Sequence, residues 1–84
     1  KDRRFQFDAN CVVIPNYVTF KTGTKIMLDN RYGKIRPVYL DDKKYNLEPY
    51  GFKIVTLTTT AKLHHTIRID CGTGKNNGQI LLQQ

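Results

Sequence analysis

The stretch IDCGTGKNNGQILL, Ile69 to Leu82, is where the fold of this chain is most legible. It sets a cysteine, three glycines and a lysine between apolar runs. A phosphate cradle on such a loop opens a helix whose first amides hold the anion, and a P-loop follows its lysine with Ser or Thr. Here Asn76 follows Lys75, and QILLQQ after Gly78 is too short and too β-prone for that helix. A dinucleotide fingerprint fails on the same missing helix. The stretch therefore reads as a hairpin. Asn77-Gly78 is a strong turn dipeptide, because both residues tolerate positive φ, and Gly72 and Gly74 add further freedom.

The rest of the chain is also β in character. RRFQFDA alternates, with Phe5 and Phe7 on one face. CVVIP is a short apolar run stopped by Pro15, and YVTFK and TKIMLDN flank a turn at Thr22-Gly23-Thr24. KIRPVYL is strand-like, but Pro37 places it at an edge or a bulge. Asp41-Asp42 and EPYG are turns around KYNL. FKIVTLTTT is the clearest strand, LHHTIRIDC alternates, and QILLQQ closes the chain. Met27, in mid-strand, is expected in the core. No segment keeps a helical period, and turn signals recur about every 8 to 12 residues, as in a sandwich or small barrel.

At 84 residues the chain is one domain, 1–84, with a single core. No apolar run approaches the roughly 20 residues of a membrane-spanning helix. Its start at Lys1 fits a mature secreted form or a trimmed chain. The net charge of +7 favours an anionic partner, an acidic protein before a nucleic acid, since the basic residues are dispersed. The densest basic patches are KDRR at the start and RYGKIR at 31–36. Two cysteines, Cys11 and Cys71, suggest one disulfide in an oxidising compartment and buried thiols in the cytosol.

The order of elements resembles a small cupredoxin. CVVIPNYVTFKTGTKIMLDN, Cys11 to Asn30, gives an apolar strand before a proline, a second strand, a glycine turn and a strand ending in Asn. KYNLEPYGFKIVTLTTT follows a variable segment, and TIRIDCGTGKNNGQILL leads into a cysteine, a loop, a glycine and a last strand. The resemblance covers about Val12 to Leu82 and implies a cupredoxin-like Greek-key β-sandwich of seven or eight strands. It puts Cys71 at the position of the copper-ligating cysteine. A type 1 site also needs two histidines and often a Met. The residues after Cys71 and the segment after Asn30 contain none of these, so the resemblance implies a domain without a type 1 copper site. It also implies that Cys11, four residues before Pro15, lies within disulfide reach of Cys71, so that a bridge replaces the metal as clasp.

No catalytic set emerges. There is no Ser, and Asp41-Asp42 suits a turn. If Cys71 points inward, His65, Ile67 and Ile69 share its face, while His64, Thr66, Arg68 and Asp70 point outward. His65 and Cys71 then lie roughly 20 Å apart along one strand and cannot share a metal; they are weak metal candidates. The partner-binding candidates are Arg31, Tyr32, Lys34 and Arg36, with arginines suited to bidentate grip of carboxylate or phosphate and a tyrosine suited to stacking. Lys43 and Lys44 guard a strand edge. The reading is a non-catalytic, extracytoplasmic (periplasmic or secreted) binding or structural module that takes no cofactor and contacts an acidic partner through basic loops. The alternatives are a copper-binding or electron-transfer protein using Cys71, and a basic β-barrel binding nucleic acid. The oligomeric state is open.

Overall fold

The computed structural model describes residues 3–84; Lys1 and Asp2 of the KDRR patch lie outside the described residues. Among the described residues there are nine strands and no helix: β1 (Arg4–Phe7), β2 (Val13–Ile14), β3 (Tyr17–Lys21), β4 (Lys25–Asn30), β5 (Arg36–Leu40), β6 (Lys43–Leu47), β7 (Phe52–Thr56), β8 (His65–Cys71) and β9 (Gly78–Gln83). The count exceeds the expected seven or eight because the two-residue β2 pairs with β1 as an element of its own.

The strands form two mixed sheets. One runs β2-β1-β4-β7 and the other β3-β9-β8-β5-β6. β1 lies parallel to β4 and β3 parallel to β9; the remaining pairs are antiparallel. Alternation in the sequence sets which residues enter the core. Phe5, Phe7, Ile26 and Leu28 fill the inner face of the first sheet, and Val38, Ile67, Ile69, Ile80 and Leu82 that of the second. The Phe5 and Phe20 rings meet edge to face across the two sheets, 6.3 Å between centroids. At about 25 cal/mol per Å² of apolar surface, a Phe or Leu buried there contributes about 1.5–3 kcal/mol.

Several expectations are corrected. KIRPVYL is not an edge strand: β5 is internal, between β8 and β6. Pro37 is tolerated there because Gly72 donates to its carbonyl, so its nitrogen faces the same side, past the last β5–β8 pair at Val38↔Cys71. The missing N–H would have met a turn, not a strand. Met27 is half-buried on the outer face of β4, not in the core, because Ile26 and Leu28 take the inner positions.

Asn77-Gly78 is not the turn between β8 and β9. Residues 72–77 make the connection, with Gly72 (φ 62°) and Asn76 (φ 56°) in the left-handed region. Gly78 is already in β9 opposite Ile69, where a Cβ would stand 3.3 Å from both the Asn16 carbonyl oxygen and the Ile69 side chain. Close approach, not φ, requires glycine there. β7 is shorter than FKIVTLTTT because its partner turns away: Leu57 still donates to Thr24, and beyond it Thr58–Thr60 have no strand to pair with among the described residues. The Asp41-Asp42 turn is a two-residue hairpin loop, as expected, with Asp41 at φ 54°.

Candidate functional site

At one end of the sandwich, three side chains organise four loops. Asn30 ends β4 and is fully buried. Its amide nitrogen donates to the carbonyls of Lys34 (2.9 Å) and Glu48 (3.0 Å), and its amide oxygen accepts from Tyr32 N–H (3.1 Å). One buried side chain thus fixes the 31–35 loop against the 48–51 turn. Backbone bonds complete the joint: Tyr50 N–H donates to the Tyr32 carbonyl and Asn30 N–H to the Gly51 carbonyl.

Arg36 is the second organiser. As the first residue of internal β5 it points inward and is only 6% exposed. Its guanidinium donates to the Asp8 carbonyl and to the Ala9 carbonyl (3.1 Å), and it lies 4.3 Å from the centroid of the Tyr32 ring. The fork expected to grip a partner holds the protein's own 8–12 turn instead. That turn carries Cys11, whose N–H donates to Asp8 O, while the Asp8 carboxylate accepts from Asn10 and Val12. Cys11 takes φ 60° as a result.

Cys11 and Cys71 form a disulfide, with Cα atoms 5.6 Å apart and a sequence separation of 60. Asn77, the third organiser, joins the backbones on both sides of the bridge: its oxygen accepts from Cys71 N–H (2.9 Å) and its nitrogen donates to Cys11 O (3.3 Å). The bridge ties the 8–12 turn to the end of β8, where the 72–77 connection begins. Cys71 is fully buried, and its sulfur is bonded to sulfur, so it is not the thiolate that ligates metals.

The sequence candidates therefore divide. Arg31 and Lys34 are exposed, Tyr32 is half-buried under Arg36, and Arg36 is interior. His65 is half-buried and lies far up β8 from Cys71; its Nε2 sits 2.7 Å from the Asp41 carboxylate, whose other oxygen accepts from Arg68 N–H (2.9 Å). Ile67, Ile69 and Cys71 face inward as expected. Asp70 points to the outer face but is buried, because the 72–77 connection covers it: Asn76 N–H donates to its carboxylate (2.6 Å) and Arg68 pairs with it. Among the described residues no group of three or more His, Cys, Asp and Glu is placed to hold a metal.

Sequence reasoning missed Asn30, Asp8 and Asn77 as organisers. The available signal was residue type: Asn and Asp at strand ends and turns bond nearby backbone groups. Which distant carbonyls they would also meet is set by tertiary contact.

No family model and no curated protein matches this chain. Its functional reading therefore rests on the geometry of the site.

Proposed function

We propose that this domain is a non-catalytic, extracytoplasmic binding module of cupredoxin-like Greek-key form, without a type 1 copper site, that contacts an acidic protein partner through Arg31 and Lys34. The observation that carries the reading is the bracing of their loop. Asn30 ties down Tyr32 and Lys34, and Arg36 stacks on Tyr32, so two exposed cations stand on a fixed backbone. A pre-ordered loop loses little entropy when a partner binds it. The net charge of +7 adds attraction at a distance. The disulfide supports an oxidising compartment, and its use of Cys71 supports a domain in which a covalent clasp stands where a cupredoxin carries its metal.

Titration with a glutamate-rich peptide at low and physiological salt tests this. Binding should weaken with salt and fall about tenfold in Arg31→Glu/Lys34→Glu. Equal affinity in that double variant would overturn the assignment of the loop. Tighter binding to a single-stranded oligonucleotide than to the peptide would favour a nucleic-acid partner instead.

A further inference from the structure

β7 ends its sheet, and its outer edge is open. The ladder with β4 shows which backbone groups face out. Asn30 N–H donates to Gly51 O and Leu57 N–H donates to Thr24 O, both at 2.8 Å. Lys53 and Val55, which share that phase, therefore turn their N–H and C=O to β4, opposite Leu28 and Ile26. Phe52, Ile54 and Thr56 alternate with them and present theirs to the open side, where no other strand lies among the described residues. Two of the three side chains on the outer face are apolar and exposed, Phe52 at 60% and Ile54 at 55%, and the third is exposed Thr56. The β6 edge of the other sheet is instead guarded by exposed Lys43 and Lys44.

We propose that β7 is a strand-addition edge whose occupant is an extended acidic segment of a partner protein, with apolar residues alternating with Asp or Glu. This deepens the acidic-partner reading and rests on it. An added strand would take the three outward N–H and three outward C=O groups. Every second residue would lie beside Phe52 and Ile54, and those between would lie on the opposite face, beside exposed Lys53 and then buried Val55, so the acidic position is the one beside Lys53. The loop bearing Arg31 and Lys34 meets the start of β7 directly, through Tyr32 to Tyr50 and Asn30 to Gly51. Lys25, paired with Thr56, stands at the far end. Cations thus flank and punctuate one apolar edge. A second copy of this chain fits less well: β7 has no acidic residue to offer Lys53, and each copy brings +7.

The test is amide exchange on the full chain with a capped peptide of about ten residues alternating Glu and Val, a length typical of strands. The Phe52, Ile54 and Thr56 amides should gain protection, while Lys53 and Val55, already bonded to β4, should change little. Ile54→Pro removes one outward donor without touching the β4 ladder and should weaken binding about tenfold or more. Ile54→Asp, which keeps the N–H but adds repulsion, should weaken it as well, and serves if the proline variant does not fold. Peptide binding that leaves the three amides unchanged would overturn strand addition while leaving the acidic-partner reading intact. Protection that rises with protein concentration alone would assign the edge to a second copy and overturn the proposal. No binding of the peptide at any salt would remove both.

Discussion

Arg36→Lys separates a structural brace from a binding residue, because it keeps the net charge and removes only the fork. Arg36 makes two hydrogen bonds to the carbonyls of Asp8 and Ala9 and a stack on Tyr32. Charge-assisted bonds contribute about 1.5–3 kcal/mol each. Asp8 and Ala9 are exposed, so water can replace a lost donor and the low end applies. The stack adds about 0.5–1 kcal/mol. Lysine can recover one bond but neither the fork nor the planar stack. The expected loss is about 2 kcal/mol for Arg36→Lys and about 3 kcal/mol for Arg36→Ala. For a domain of this size 2 kcal/mol lowers Tm by roughly 8–16 °C. Urea unfolding followed by tyrosine fluorescence or circular dichroism would measure it, with the disulfide kept intact. Arg31→Lys, on the exposed loop, is the control and should lie within about 0.5 kcal/mol of wild type. If Arg36→Lys matches that control, the guanidinium does not brace the 8–12 turn, and something other than Arg36 holds this end of the sandwich.

The same geometry sets three further outcomes. Replacing both cysteines, Cys11→Ala/Cys71→Ala, should cost about 4 kcal/mol by loop-closure entropy over the 60-residue span and raise the urea m-value, since the unfolded chain expands; an unchanged m-value with unchanged stability would contradict this. Asn30→Asp puts a carboxylate where the Lys34 and Glu48 carbonyls need a donor, and should cost about 3 kcal/mol with broadened NMR signals confined to residues 31–35 and 48–51. Gly78→Ala forces a methyl to within 3.3 Å of Asn16 O and the Ile69 side chain, and should cost about 1–3 kcal/mol in thermal unfolding, whereas Gly23→Ala, with open space but φ +89°, reports backbone strain alone.

Alternation specified much of this protein. Phe5 and Phe7, Ile26 and Leu28, and Ile67, Ile69 and Cys71 are buried as their period of two requires, because successive strand side chains point to opposite faces whatever the neighbours are. Turn chemistry was local enough to place Asp41-Asp42 and the break before β3. The failures share one cause. Pro37 looked like an edge signal, but its strand could be internal because β8 ends where the proline nitrogen points. Asn77-Gly78 looked like a turn, but Asn77 bonds the backbones of both cysteines and Gly78 packs on Asn16 and Ile69, so the connection is 72–77 and Gly78 belongs to β9. Arg36 looked like a surface cation, and became interior once its strand parity aimed it at two carbonyls 27 and 28 residues away. Periodicity and turn residues act over a few positions, which is enough to specify an all-β chain and most of its inward faces. Hydrogen-bond partners far apart in sequence exist only after the sheets pack. Packing therefore selected which cations stay exposed at Arg31 and Lys34, which one became a brace, and which strands end the sheets.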